Sequence, residues 1–128
     1  MEWRFSGNAP IYAQLVEQLT QRIVTAVYPP GQRIPPVREL AMEAGVNPNT
    51  MQRALGELER QGLVFSQRTS GRFVTEDTAR IEHAKRSLAE ERISSFLRAM
   101  EELGLDAEAV DTLLREARER DEKYDADS

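Results

Sequence analysis

The first part of the chain carries three segments in which hydrophobic residues recur at the spacing of an amphipathic helix. The first segment predicts a helix from Pro10 to about Val27. The prolines of "YPPGQRIPP" end it, because proline cannot continue a helix. A short second helix is predicted from Val37 to Ala44, where Gly45 supplies a stop signal.

The third segment, "GVNPNTMQRALGELERQG", predicts a helix with clear signals at both ends. Asn47 is a good N-cap, Pro48 suits the first helical position, and Gly62 is a natural stop. The apolar stripe of this helix consists of Met51, Ala54, Leu55 and Leu58. Its outward face is centred on Asn49, Arg53, Gly56 and Arg60. A turn of about three residues joins the second predicted helix to the third, and this is the spacing of a helix-turn-helix.

After Gly62 the pattern changes from helical to β. "LVFSQ" and "RFVT" are β-prone runs on either side of "RTSG", where Gly71 permits a tight turn. From about Thr78 the helical pattern returns, Gly104 ends that helix, and Asp106 caps another. The predicted fold class is therefore mainly α with a small β-hairpin: a winged helix-turn-helix domain followed by a short α-helical dimerisation domain.

Charge divides the chain into the same parts. The net charge of the 128 residues is −5, but residues 1–75 hold eight arginines, no lysine and six acidic residues, which gives +2. Residues 76–128 hold nine basic and sixteen acidic residues, which gives −7. We predict a DNA-binding domain at 1–75, a helical dimerisation or effector domain at 76–117, and a charged, disordered tail at 118–128.

Composition argues against several other classes of protein. The chain has no cysteine, which excludes disulfides, thiol catalysis and thiolate metal sites. His83 is the only histidine, and no phosphate-binding loop or nucleophile motif is present. Neither a signal peptide nor an apolar run of about 18 residues is found. We expect a cytoplasmic protein that is not an enzyme, that uses no cofactor or metal, and that does not enter a membrane.

Three stretches resemble the DNA-binding domain of GntR-family bacterial transcription regulators. They are "PIYAQLVEQLTQRI", "PPGQRIPPVRELAMEAGVNPNTMQRALGELERQGLV" and "QRTSGRFV", which follow one another over residues 10–75 without a large gap. The short helical remainder, together with "VNPNT", resembles the YtrA-like subfamily. The resemblance implies a dimeric regulator of transcription, in many members a repressor, with a small C-terminal domain.

The same resemblance assigns DNA contacts to three places. Arg38, at the start of the second helix, would contact a phosphate or the groove edge. The third helix would enter the major groove through Asn47, Asn49, Thr50, Gln52 and Arg53. The hairpin would approach the minor groove or the backbone through Arg68, Ser70, Gly71 and Arg72. Much of the family has arginine where this chain has Gln52, and here the arginine follows one position later, which rotates it by about 100° around the helix.

These residue types suit the readout of bases. Arg53 could donate two hydrogen bonds to guanine, and Asn49 or Gln52 could pair with adenine. In the hairpin turn, the backbone N–H groups of Ser70 and Gly71 are expected to be accessible to phosphate oxygens. The alternative is that the arginines are ordinary surface residues: Arg53 and Arg60 would pair with Glu57 or Glu59, Arg38 would hydrogen-bond within its own domain, and Arg68 and Arg72 would serve solubility.

The C-terminal helices carry an apolar face that needs a partner. Association with a second copy would bury Leu88, Ile93, Phe96, Met100 and Leu103. A two-fold dimer would then present two recognition helices to a palindromic operator in double-stranded DNA. The alternative is that this face packs against the N-terminal domain of the same chain.

The predicted function is sequence-specific binding of DNA to control transcription, by a dimeric repressor. Two other functions stay open: a winged helix that binds protein and not DNA, and a sensor with a definite pocket for a small molecule. A small-molecule effector, if one binds, would shift the relative orientation of the two DNA-binding domains. Trp3 and Phe5 could brace the first helix or belong to the dimer contact.

Overall fold

The computed structural model describes residues 1–127, and the side chains of residues 1–125. Within these residues, five helices and one hairpin follow one another along the chain. The elements are α1 (Ile11–Val24), α2 (Val37–Ala44), α3 (Pro48–Arg60), β1 (Val64–Gln67), β2 (Gly71–Val74), α4 (Thr78–Glu102) and α5 (Ala107–Asp127). This arrangement confirms the predicted fold class, mainly α with a small β-hairpin, in which a winged helix-turn-helix is followed by a helical C-terminal part.

The first helix ends earlier than the sequence predicts, at Val24 and not near Val27. Thr25 closes the helix by donating its backbone N–H to Gln21. Ala26 then takes a left-handed φ of 61°, which turns the chain away from the helix axis. The apolar pattern continues past this point, so periodicity alone could not locate the end.

The second and third helices form as the sequence predicts. Gly45 ends α2 with a left-handed φ of 69°, a conformation that glycine adopts without steric cost. The side-chain oxygen of Asn47 accepts the backbone N–H of Asn49 at 2.7 Å, which caps α3. The whole predicted stripe of α3 is buried: Met51, Ala54, Leu55 and Leu58. Burial of this stripe leaves the outward face of α3 turned away from the core.

Two compact units divide the chain, residues 1–88 and residues 89–128. The division falls inside α4 and not at residue 75, because Ile81 is only 7% exposed and belongs to the core of the first unit. That core consists of Leu15, Leu19, Ile23, Ile34, Leu40, Ala41, Met51, Ala54, Leu55, Leu58, Leu63, Val64, Val74 and Ile81. The start of α4 is therefore part of the winged-helix unit, which is longer than predicted.

The hairpin is antiparallel, and it pairs Val64 with Val74 and Phe65 with Phe73. A third segment, residues 31–34, runs along the other edge of β2. The backbone N–H of Val74 donates to Gln32 at 2.9 Å, and that of Ile34 donates to Arg72 at 2.9 Å. The sequence did not predict this pairing. It ties the hairpin to the chain that leads into α2.

The N-terminal segment lies along α1. The guanidinium of Arg22 stacks over the ring of Trp3 at 3.6 Å and donates to the carbonyl of Met1 at 2.9 Å. The side-chain amide of Gln18 exchanges two hydrogen bonds with the backbone of Arg4, at 2.9 and 2.6 Å. Both Trp3 and Phe5 pack against the core of the first unit. Of the two roles considered for these aromatic residues, the structure supports the bracing of helix one.

The second unit contains the last part of α4, residues 89–102, and the whole of α5. Asp106 caps α5 as predicted, since its carboxylate accepts the backbone N–H of Ala109 at 2.9 Å. The disordered tail predicted at 118–128 is not what the structure shows, because α5 continues to Asp127, and residue 128 lies outside the described residues. Glutamate, arginine and lysine are good helix formers, so a charged segment without an apolar stripe can still extend a helix that has already begun.

Candidate nucleic-acid interface

The N-terminal half of α3 presents polar side chains to solvent. Asn49, Gln52 and Arg53 are exposed, whereas Thr50 is half-buried. Asn47 is also exposed, but its side-chain oxygen is engaged by the helix cap. The structure thus brings the five predicted residues of this helix together at one end of α3, and it gives Asn47 a structural role there.

Arg53 is held by an aromatic ring and not by a carboxylate. Its guanidinium carbon lies 4.7 Å from the centroid of the Tyr12 ring, which α1 supplies. Within the described residues, Arg53 forms no ion pair with Glu57 or Glu59. The alternative of an intrachain pair is therefore wrong for Arg53, whose charge stays uncompensated on an exposed surface.

Arg60 differs from Arg53, although both lie on the outward face of α3. Its guanidinium pairs with Glu57, with Nη2 at 2.7 Å from Oε2. The hydrogen bonds from Arg60 and Gln61 lower the pKa of Glu57, and the bond to Glu57 raises the pKa of Arg60. The intrachain pair considered as the alternative is thus correct for Arg60. Gly56, between the two arginines, has only the Nη1 of Arg60 near the position of a Cβ, at 3.7 Å, so the helix surface there is open.

Arg38 lies in the first turn of α2 and is exposed. The alternative for this residue is a hydrogen bond within its own domain. Among the described residues its guanidinium has no hydrogen bond and no ion pair. The side chain is therefore available to a ligand outside the chain.

The turn of the hairpin exposes Arg68, Ser70 and Gly71. The backbone N–H of Ser70 donates to the carbonyl of Gln67 at 3.1 Å, within the turn itself. The expectation that this N–H group is open to a phosphate is therefore wrong. Arg68 has no hydrogen bond or ion pair among the described residues, so its charge is uncompensated.

Arg72 is the predicted contact that the structure separates from the others. Its side chain is 18% exposed, and its Nε lies 2.6 Å from Oε1 of Glu59 on α3. The hydroxyl of Ser66 donates to the same oxygen at 2.6 Å. These bonds, that from Ser66 first and that from Arg72 next, hold the pKa of Glu59 below its ordinary value against the opposing effect of burial. Arg72 thus joins the hairpin to α3 by a neutralised pair.

Arg33 is exposed beside the hairpin turn and was missed by the sequence analysis. A Cβ on residue 71 would lie 2.9 Å from its Nε and 3.4 Å from its Nη2, so the guanidinium passes directly over Gly71. The only signal in the sequence is the short run "GQRI" between prolines, where a helix is impossible. Nothing in that run indicates which strand it pairs with.

The hydrophobic residues predicted for the dimer contact lie mostly on the surface. Ile93 is 57% exposed, Phe96 39% and Leu103 71%, whereas Met100 is half-buried. Leu88 is half-buried and is the last residue of the first unit, whereas the other four predicted residues belong to the second unit. Leu97, Leu113 and Leu114 are further exposed hydrophobic residues of the second unit.

Neither a metal centre nor a membrane segment is found in the part of the chain that the structure describes. No three histidine, aspartate or glutamate side chains of residues 1–127 are grouped so that they could hold a metal ion. No helix in that range combines the length and the apolar character needed to cross a bilayer. His83 is exposed on α4.

The family model for "Bacterial regulatory proteins, gntR family" matches residues 11–74, from the first residue of α1 to the end of β2. The chain belongs to the GntR family. The resemblance that the sequence motifs indicated is confirmed.

Two curated GntR-type relatives from Bacillus subtilis (strain 168) match this chain over most of its length. An uncharacterized HTH-type transcriptional regulator, YhcF, is 39% identical over 110 residues, which cover 86% of this chain and 91% of the relative. The HTH-type transcriptional repressor YtrA is 31% identical over 121 residues, which cover 94% of this chain and 88% of the relative. The likeness therefore includes the second unit and not the winged helix alone.

Solved structures agree with this assignment. A GntR family transcriptional regulator from Listeria monocytogenes has a TM-score of 0.78 and 36% identity, over 88% of this chain and 98% of its own. AraR(DBD), solved in complex with operator ORX1, has a TM-score of 0.54 and 35% identity, over 59% of this chain and 96% of its own. Our chain is thus a helix-turn-helix transcriptional regulator of the GntR family, and the relatives to which it is similar are transcriptional regulators.

Proposed function

We propose that this GntR-family chain is a dimeric repressor that reads a palindromic operator through the N-terminal half of α3. The observation that carries the proposal is the state of Arg53: it is exposed, it has no carboxylate partner among the described residues, and it stands over the ring of Tyr12. The similar domain of AraR, which was solved in complex with an operator, supports DNA as the ligand. The name of the relative YtrA supports repression.

Each side chain of the interface has a distinct part in this proposal. Arg53 donates its two parallel N–H groups to O6 and N7 of guanine, and Asn49 or Gln52 pairs with adenine in the same groove. Arg38 binds a backbone phosphate and sets the orientation of the domain, since phosphate contacts carry no sequence information. Arg60 is left out of the contact, because its charge is already neutralised by Glu57 at 2.7 Å.

The second unit supports a dimer because it has almost no core of its own. The structure describes the side chains of this unit from residue 89 to residue 125, and among them only that of Val110 is buried. Within the same residues, α4 and α5 make few close backbone contacts with each other. Exposed hydrophobic residues lie on both helices and in the turn between them: Ile93, Phe96 and Leu97 on α4, Leu103 in the turn, and Leu113 and Leu114 on α5. Apolar surface of this extent on a small unit is typical of an interface.

A two-fold axis through the second unit would double the interface with DNA. Each protomer would supply one α3, and the two copies would read half-sites related by the same symmetry as the protein. The operator is therefore proposed to be palindromic. An effector, if one binds, would act by changing the orientation of one reading helix relative to the other.

DNA readout is tested by selection from a random duplex library with the 128-residue chain, followed by affinity measurements on the selected duplex and on random duplex. Arg53→Ala is expected to lose about 1–3 kcal/mol of preference, which is roughly a 5- to 150-fold fall in the ratio of the two affinities. Arg60→Ala is the matched control, because it removes an arginine from the same helix face and is expected to keep the preference. Failure of the selection to return any site would refute DNA readout, and equal loss in both variants would refute the role of Arg53.

The dimer is tested by sedimentation equilibrium of the wild type and of Phe96→Asp. We expect a dimer for the wild type and a shift towards monomer for the variant, since a charge on an apolar interface is left without a partner. Met42→Asp is the matched control: Met42 is 81% exposed on α2, in the first unit. A monomeric wild type would refute the dimer.

Repression is tested with a promoter that carries the selected duplex. The output of this promoter should fall when the protein is present and should recover with Arg53→Ala.

A further inference from the structure

Three arginines lie on or beside the wing, which we define as β1, β2 and the turn between them. Arg68 belongs to the turn, Arg72 to β2, and Arg33 to the segment that pairs with the other edge of β2. The sequence offers Arg68 and Arg72 as contacts to DNA, because they flank the turn. Their surroundings in the folded chain are different, and this difference decides which charges a ligand can reach.

The charge of Arg72 is neutralised by a carboxylate of the same chain. Its Nε lies 2.6 Å from Oε1 of Glu59, and its side chain is only 18% exposed. To contact DNA, Arg72 would have to leave a carboxylate that also accepts a hydrogen bond from Ser66 at 2.6 Å. Rupture of this pair would leave Glu59 without its cation and next to a negatively charged duplex. A charge compensated in this way adds little to the attraction between protein and phosphate.

The charge of Arg33 is not compensated. No ion pair or hydrogen bond of its guanidinium is found among the described residues. Glu76 places its carboxylate against Gly31, on the same segment, but it forms no ion pair with Arg33. The side chain is exposed and stands over the turn of the wing.

The backbone holds Arg33 in a defined place. It forms an antiparallel bridge with Phe73, and hydrogen bonds flank it on both sides: Val74 donates to Gln32 at 2.9 Å, and Ile34 donates to Arg72 at 2.9 Å. A basic side chain on such a bridge is positioned by the sheet and not by a free loop. The entropy lost when it binds a ligand is correspondingly smaller.

Gly71 provides the space in which the guanidinium lies. A Cβ at this position would come within 2.9 Å of the Nε of Arg33, closer than such contacts allow. Gly71 also has a φ of +100°, which disfavours any other residue. The glycine therefore serves both the turn of the hairpin and the path of the arginine that crosses it.

We propose that Arg33, and not Arg72, acts with Arg68 at the tip of the wing to bind a phosphate of the DNA backbone. This inference rests on the proposed function, since it takes duplex DNA as the ligand. A guanidinium can donate two parallel N–H groups to a phosphate, which suits a side chain held flat across a glycine. The contact would fix the position of the wing and carry no sequence information.

The experiment uses the 128-residue chain and the duplex that the wild type selects from a random library. Affinity is measured over a series of salt concentrations for the wild type, Arg33→Gln, Arg33→Lys and the double variant Arg72→Gln/Glu59→Gln. Loss of one phosphate contact reduces the slope of log K against log salt by about 0.9 per protomer. We expect this reduction for Arg33→Gln, its recovery in Arg33→Lys, and an unchanged slope for Arg72→Gln/Glu59→Gln, which removes both charges of the neutralised pair. Thermal melting of each variant, with binding measured well below the melting temperature, separates binding from folding.

A second measurement locates the contact on the DNA. Single phosphates of the selected duplex are replaced in turn by neutral methylphosphonates. At the phosphate that Arg33 contacts in each half-site, the neutral replacement should weaken binding of the wild type and should not weaken binding of Arg33→Gln. The effects of removing the two partners of one contact do not add, because either change alone already removes the contact. Additive losses at every position would overturn the proposal, as would a reduced slope for Arg72→Gln/Glu59→Gln with an unchanged slope for Arg33→Gln.

Different outcomes contradict the proposed function and the proposed role of Arg33. If the wild type selects no duplex and shows no salt-dependent affinity, the proposed function itself is wrong. If the wild type selects a site and Arg53→Ala loses the preference for it, but Arg33→Gln behaves as the wild type, the proposal for Arg33 alone is wrong.

Discussion

Replacement of Tyr12 by leucine is expected to weaken operator binding, although Tyr12 lies on α1 and not on the helix proposed to enter DNA. Its ring stands 4.7 Å from the guanidinium carbon of Arg53 and restricts where that side chain points. Tyr12 is half-buried and packs against the core of the first unit, so leucine keeps the apolar contact and removes the aromatic face. The variant therefore tests the positioning of Arg53 with little change in the fold.

The size of the effect follows from the geometry. A guanidinium over an aromatic ring at an exposed site contributes about 0.5–1 kcal/mol. If the stack is kept when Arg53 binds guanine, its loss makes the reading position less populated by the same free energy. This corresponds to a roughly 2- to 5-fold weaker affinity for the selected duplex, with a smaller change for random duplex. Tyr12→Phe retains the ring and should bind as the wild type does.

Fluorescence anisotropy with labelled duplex measures these affinities, and a double-mutant cycle identifies the cause. In the background of Arg53→Ala, Tyr12→Leu should produce no further loss of preference, because the side chain that it positions is absent. Tyr12 also interacts with Arg60 through its hydroxyl, and the phenylalanine variant separates that contact from the stack. Equal losses for Tyr12→Phe and Tyr12→Leu, or a full loss in the absence of Arg53, would refute the positioning role.

Three further predictions concern the fold that carries the interface. Leu58 is 0% exposed, so Leu58→Ala should reduce the free energy of unfolding by about 2–5 kcal/mol in urea denaturation. Asn47→Ala should lose about 0.5–2 kcal/mol through its helix cap, whereas Asn49→Ala, beside it, should keep stability and weaken only DNA binding. The ionised form of Glu59 stabilises the fold because its pKa is lowered, so this stabilisation is present above its unfolded pKa of about 4.3 and is lost as pH falls through the lower folded value. Glu59→Gln should therefore cost on the order of 1 kcal/mol at neutral pH and make acid unfolding less steep, as followed by circular dichroism; an equally steep acid transition would contradict this.

Much of α3 could be predicted from its own residues. The cap at Asn47, the stripe from Met51 to Leu58 and the stop after Arg60 depend on neighbours within a few positions, which a helical wheel reproduces. The same holds for the glycine that ends α2. The end of α1 was predicted too late, because a left-handed residue at Ala26 leaves no signal in the apolar pattern.

The arginines of the wing could not be sorted in the same way. Arg68 and Arg72 look equivalent along the chain, and Arg33 looks like part of a proline-rich loop. Their states depend on partners far away in sequence: Glu59 for Arg72, and Gly71 for Arg33. The boundary between the two units lies after Leu88 and not after residue 75 as predicted. Only the packed core shows that Ile81 belongs with the winged helix.

The amino-acid sequence by itself determined the order of the elements, the amphipathic character of α3 and the family of the protein, because these depend on local spacing and on motifs. The tertiary structure alone decided which cations are neutralised and which are available to a ligand. Charge compensation is a matter of ångströms between side chains that the chain brings together from distant positions, and no periodicity along the sequence records it. Among the described residues, Arg53 and Arg33 have no carboxylate partner, whereas Arg60 and Arg72 form ion pairs with Glu57 and Glu59.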